Sequence, residues 1–145
     1  MKIFTIGFTK KNAEQFFALL DRPDLVRVVD IRLNNSSQLA GFTKSEDLRF
    51  FLRRIVGKDY VHMPDLAPSA AMLKTYRDDS GDWAGYERDF LALMTSRRVA
   101  TTVPKNLIDG GCLLCSEATP EKCHRRLVAE HLASCWPYVD IEHLT

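Results

Sequence analysis

Cys115, Glu117, Cys123, His124, Arg125 and Arg126 crowd two thiols, a carboxylate, an imidazole and two guanidiniums around one turn. The apolar run Cys112 to Cys115 reads as a buried strand, Ser116 to Lys122 as a polar connection, and Cys123 to Ser134 as an amphipathic helix. Cys123, His124 and Arg125 then fall in the first helical turn. Unbonded N–H groups and the positive end of the dipole there attract anions and lower a thiol's pKa. Cys123 is therefore the candidate reactive thiol, as nucleophile or redox group, against the alternative of a half-buried cysteine packing helix on sheet. Cys115 is a packing residue unless it faces Cys123 closely enough to form a redox pair. Glu117 is a candidate acid or base if burial raises its pKa, and otherwise an acceptor for the N–H groups of the helix start. His124 is either an acid–base group or a solvated polar residue.

Cys112 precedes Cys115 by three positions, so the two-residue period of a strand turns it to the opposite face, into the core. Cys112-x2-Cys115 followed by Cys123-His124 suggests zinc, yet zinc knuckles carry their Cys-x2-Cys pair on a turn, and here Leu113 and Leu114 separate the cysteines within a strand, so no metal site is expected. Asp30 and Arg32, two apart, share one face of a strand and can offer a carboxylate and a guanidinium to one ligand. Their alternative is structural, with Asp30 pairing with Arg125 or capping a helix. Thr5 and Gly7 allow a phosphate close to the backbone. There is neither a P-loop nor a dinucleotide glycine fingerprint, and the pattern asks for no cofactor. Arg49, Arg53, Arg54 and Lys58 form a basic stripe, read as a solvated face balanced by Glu46, Asp47 and Asp59. Trp83 and Tyr86 are the aromatic residues best placed to touch a ligand. His131 and His143 read as helix-surface and C-terminal residues, and His62 as a strand-end residue.

The elements that must position these groups alternate. Ile3 to Ile6 reads as a strand ending at Gly7. Thr9 is the expected cap of a helix carrying Ala13, Phe16, Phe17 and Leu20. Leu25 to Ile31 reads as a buried parallel strand, and Ser45 as the cap of a helix with Leu48, Phe51, Leu52 and Ile55 that stops at Gly57. Tyr60 to Met63 is a third strand. Pro64 to Ser80 is a long excursion with one helical turn around Ala70 to Tyr76, shaped as a lid. Asp82 caps a helix through Phe90, Leu91 and Met94; Val99 to Ile108 is ambiguous, and Trp136 to Ile141 is a last short strand. Together they predict one α/β domain over residues 1–145, three layers deep, with a mainly parallel central sheet flanked by helices. In such a sheet ligands bind beyond the carboxyl ends of the strands, where Thr5 to Thr9, Asp30 to Arg32, His62 to Asp65 and Cys115 to Glu117 would share a rim.

The 145 residues, 46% apolar, suffice for a core without disulfides or metals. A formal charge of +1 gives no general basic field, so nucleic acid is possible as a partner but not indicated by charge. No stretch approaches a membrane span or an export signal, which predicts a cytoplasmic protein with no membrane partner and reduced thiols.

Thr5-Ile6-Gly7, Val29-Asp30-Ile31-Arg32, Ser37 with Gly41-Phe42, Tyr60-Val61-His62, and above all Cys115-Ser116-Glu117 to Cys123-His124-Arg125 resemble the motifs of domain of unknown function 488. The resemblance spans nearly the whole chain. It implies a compact α/β fold and an intracellular setting, and lends no activity. Leu66-Ala67-Pro68 stands where members of that family tend to have Leu-Gly-Gly, which bears on the shape of the middle loop.

The expected function is that of a small intracellular enzyme binding an anionic ligand, a nucleotide or other phosphorylated metabolite. Arg32 and Arg125 would hold the anion, Asp30 and Glu117 would orient groups or move protons, and Cys123 or Cys115 would react. A non-catalytic module binding a nucleotide or a nucleic-acid end is the alternative. A purely structural network of Asp30, Arg32, Glu117 and Arg125 is the third reading.

Overall fold

The computed structural model describes residues 1–35, 41–78, 81–117 and 119–145; Ser36, Ser37, Asp79, Ser80 and Ala118 of the segments named above lie outside the described residues. Alternating apolar runs and amphipathic segments fold as expected into a three-layer α/β structure. Its strands are β1 (Lys2–Gly7), β2 (Arg27–Asp30), β3 (Asp59–His62), β4 (Gly111–Cys115) and β5 (Asp140–Leu144), all parallel in the order β3-β2-β4-β1-β5. β4 is central and buried along its whole length, which is why it is written in small and apolar residues.

The two-residue period divides the strands between two cores. Ile3, Val29 and Leu113 face Phe90, Met94, Leu127, Val128 and Leu132 of helices α4 (Trp83–Ser96) and α7 (His124–Cys135). Phe4, Ile6, Val28, Cys112 and Leu114 face Phe16, Phe17 and Leu20 of α1 (Ala13–Leu20) and Leu48 of α2 (Ser45–Phe51). Cys112 thus lies in the core on the face away from Cys115, as its register requires, and burial drives its thiol pKa far up.

Several boundaries differ from expectation. Asn12, not Thr9, caps α1, because its side chain accepts from Gln15 N–H while the Gln15 side chain accepts from Asn12 N–H. Ser45 is the first residue of α2 and Lys44 occupies the cap; the Ser45 N–H goes to the Asn35 carbonyl. A π turn over Leu52–Val56 follows and stops at Gly57, whose φ of 67° lies in the left-handed region that glycine enters at least cost. The middle excursion contains a 3-10 turn at Pro64–Leu66 and a nine-residue helix, α3 (Ala70–Asp78), where one turn was expected. Short helices α5 (Val99–Thr102) and α6 (Lys105–Ile108) fill the ambiguous stretch. The last strand starts at Asp140 instead of Trp136. Trp136 is buried with its indole N–H on the Ala100 carbonyl, and Pro137 and Tyr138, the latter at φ 57°, turn the chain before pairing begins. No helix among the described residues is long and apolar enough to cross a membrane.

Candidate functional site

Because all five strands run parallel, their carboxyl ends lie on one side, and α3 and α4 arch over that side. Between them is a cavity of about 370 Å³. Its floor is the strand tips and the start of α7, represented by Phe8, Arg32, Ser116, Glu117, Cys123 and His124. Its far wall is aromatic. Trp83 and Tyr86 stack with centroids 5.3 Å apart, and Tyr76 of α3 lies 5.0 Å from Tyr86. Arg77 and Lys122, both exposed, add two cations to the mouth, and Asn34 adds an amide.

Arg32 is held rigidly although it is only 6% exposed. Its Nε and Nη2 donate to the two carboxylate oxygens of Asp30, each at 2.9 Å, and Nη2 also donates to the Thr43 carbonyl at 2.6 Å. The Tyr60 hydroxyl donates to Asp30 at 2.6 Å, the backbone N–H of Arg32 donates to the same carboxylate, and the His62 ring donates to the Arg32 carbonyl. Phe8 lies 5.5 Å beneath the guanidinium. Burial and the neighbouring carboxylate push the Tyr60 hydroxyl pKa upward, so it remains a donor. Among the described residues, Nη1 is the guanidinium nitrogen of Arg32 without a protein partner, and Arg32 is part of the cavity wall. Asp30 is fully buried behind it and does not line the cavity, so its place is to orient Arg32; its partner is Arg32 rather than Arg125.

The second cluster centres on α7. Cys123, in extended conformation at φ −138°, is the N-cap, so the helix begins one residue later than expected, at His124. Cys115 at the tip of β4 and Cys123 are joined sulfur to sulfur, and their Cα atoms are 7.4 Å apart. This departs from the expectation of reduced thiols and gives the redox-pair alternative for Cys115 its geometry. Arg125, fully buried, points Nη1 at the Glu117 carbonyl (2.6 Å) and at Cys115 Sγ (3.4 Å); burial lowers its pKa to about 10, where it is still a cation at neutral pH. It lies behind the sulfur pair, outside the cavity lining. The His124 ring nitrogen Nε2 donates to the Ile31 carbonyl at 2.8 Å, and burial lowers the ring's pKa to about 4, so it is neutral at pH 7. Glu117 is exposed at the mouth of the cavity.

Thr5 and Gly7 are brought to the sheet but not to the cavity. Thr5 is fully buried and its hydroxyl bonds His143 Nδ1 at 2.6 Å across to β5. Gly7 serves packing: a Cβ there would stand 1.5 Å from the Glu117 carbonyl and 2.6 Å from the Arg125 guanidinium. The basic stripe divides, Arg49, Arg53 and Lys58 lining a separate cleft with Arg27 beside Asp59.

The cavity thus unites Cys123, Glu117, His124 and Arg32 with Trp83 and Tyr86, and leaves Asp30, Arg125, Cys115, Thr5 and Gly7 behind its wall. Sequence reasoning passed over Phe8, Asn34, Tyr76, Arg77 and Lys122. Only the helical period of Leu73, Tyr76 and Arg77, read to the full length of α3, carries a signal for two of them. A family model, Domain of unknown function DUF488, matches residues 12–132. No curated protein and no solved structure matches the chain.

Proposed function

Because the chain belongs to the DUF488 family, whose description lends no activity, we propose from the cavity itself that it binds an anionic ligand carrying a flat ring, of the nucleotide class, and acts on it with Cys123 and Glu117. One observation carries this reading: a single cavity of about 370 Å³ joins Arg32, Arg77 and Lys122 to a cluster of three aromatic rings. The volume is within the range of small-ligand sites. Trp83 and Tyr86 offer faces for a base to stack on, and the three cations supply the charge for a phosphate. The positive end of the twelve-residue α7 adds to that potential.

Arg32 is the anchoring cation because its clamp leaves little entropy to lose on binding. Asp30 and Arg125 act from behind, one by aiming Arg32 and the other by fixing the Glu117 carbonyl and the Cys115 sulfur. Glu117 is the carboxylate that lines the cavity, and Cys123 becomes its thiol once the bond to Cys115 is reduced. A non-catalytic binding module keeps the same cavity and drops the chemistry, a reading favoured by the internal hydrogen bonds that already occupy Asp30 and His124.

Calorimetric titration of the whole chain with adenosine monophosphate, adenosine and inorganic phosphate tests binding. The nucleotide is expected to bind tighter than either part, with Arg77→Ala weakening it about three- to tenfold and more so at low salt. Heat from phosphate alone equal to that from the nucleotide, or no heat from any of the three, overturns the reading.

A further inference from the structure

We propose that, once the Cys115–Cys123 bond is reduced, Cys115 Sγ, Cys123 Sγ and His124 Nδ1 bind one divalent ion of the zinc class, with a fourth position open to the cavity. The inference deepens the reading above, because two of these residues line the same cavity. One ligand atom from each of the three lies within 4.8 Å of the others. Cys115 and Cys123 are 1% and 3% exposed, so the sulfurs are shielded from bulk water. Nε2 of His124 spends its proton on the Ile31 carbonyl, which leaves the lone pair on Nδ1 and fixes the ring, the arrangement ligating histidines commonly use.

The backbone spacing agrees. Disulfides usually span Cα separations of about 4.4–6.8 Å, and the 7.4 Å here leaves room for an ion between two thiolates. Arg125 Nη1, 3.4 Å from Cys115 Sγ, donates to that sulfur as outer partners of metal thiolates do. Cys112 faces the other core and supplies no fourth ligand. Two sulfurs and one nitrogen, with the remaining position facing a cavity, is a catalytic rather than a structural zinc arrangement, able to polarise a ligand oxygen or activate a water. In sequence, Cys112, Cys115, Cys123 and His124 taken together argue against zinc because the Cys-x2-Cys pair lies in a strand; the set that converges here omits Cys112 and is built from the strand tip, the helix cap and the first helical residue.

A phosphine performs the reduction in the test. The disulfide takes two electrons, each sulfur gains a proton, and the phosphine leaves as its oxide with the oxygen of one water. Ion binding then releases the proton of each thiol to solvent.

The reduced chain, stripped of metal on a chelating resin, is titrated with Co²⁺. A thiolate-to-cobalt charge-transfer band and the visible absorption of a tetrahedral centre are expected, saturating at one ion per chain, displaced by Zn²⁺ and absent from the oxidised protein. C112S and C135S retain the band, C115S/C123S loses it, and H124A binds Co²⁺ at least about tenfold more weakly. No band from protein whose four thiols all react with a thiol reagent, or a band that survives C115S/C123S, overturns the proposal. Independently of any variant's folding, X-ray absorption of the zinc-loaded wild-type chain is expected to count two sulfur neighbours; a shell without sulfur overturns it. Adenosine monophosphate binding to the oxidised, metal-free chain separates the two readings. Nucleotide heat without a cobalt band removes the ion alone, and a cobalt band without nucleotide heat removes the ligand reading alone.

Discussion

Burying a guanidinium is unfavourable unless its charge and its hydrogens are matched; Asp30, two residues from Arg32, matches the charge and binds Nε and Nη2. Asp30→Asn leaves that guanidinium without its counter-charge and is expected to destabilise the chain by about 3–5 kcal/mol in urea titration. Tyr60→Phe, which removes one hydrogen bond to the same carboxylate, should cost only about 1–2 kcal/mol. The contrast between the two checks that charge, not hydrogen-bond number, governs the clamp. Gly7→Ala forces a methyl group onto the Glu117 carbonyl, where backbone must yield; a loss of about 2–4 kcal/mol, read as a lowered midpoint, is expected. Spacing placed Asp30 and Arg32 on one face but did not show that they pair with each other, and the role of Gly7 was not legible because the atom it accommodates comes from a loop 110 positions away, Glu117.

Elements whose signals are local were the ones sequence could identify. The helical period of Phe16, Phe17 and Leu20, the Asp82 cap whose carboxylate accepts from Gly85 N–H, and the wholly apolar β4 all stand where their residue patterns put them. Two caps were misplaced because several residues with capping side chains lie within one turn of each helix start, and the reciprocal bond with Gln15 decides for Asn12. Asn12→Ala should therefore remove about 1 kcal/mol of stability, with Thr9→Ala close to neutral, measured side by side in thermal melts. The lid illustrates the opposite case. α3 buries no residue of its own, so its short amphipathic stretch reads as loop, and only docking of Tyr76 on Trp83 and Tyr86 makes it a wall. The candidate site was legible on its floor, written in thiols and charges, and illegible on its wall, written in ordinary packing residues.

For the molecule as a whole, His124 couples stability to pH. Burial lowers its pKa from 6.5 to about 4; the Arg125 cation reinforces this, while the Ile31 carbonyl and Asp30 oppose it. A folded pKa below the unfolded one means the unfolded chain binds the proton first. The contribution is therefore fully present above pH 6.5 and is lost as pH falls toward 4, up to about 3 kcal/mol at the end. Melting the oxidised, metal-free chain across that window should show the decline, and His124→Gln should flatten it; a decline of the same size in the variant would assign it to other groups.

Strand order also decides when the fold can close. β1 lies between β4 and β5, with Ile3 paired to Gly111 on one side and Ile141 on the other. During synthesis it leaves the ribosome before either neighbour exists, with Phe4 and Ile6 awaiting the core they will fill. Through most of translation the nascent polypeptide therefore carries an unsatisfied apolar ribbon, the kind of segment that chaperones shield and that aggregates when left alone. The sheet, and with it the hollow at its tips, is assembled only when the last third of the molecule has emerged.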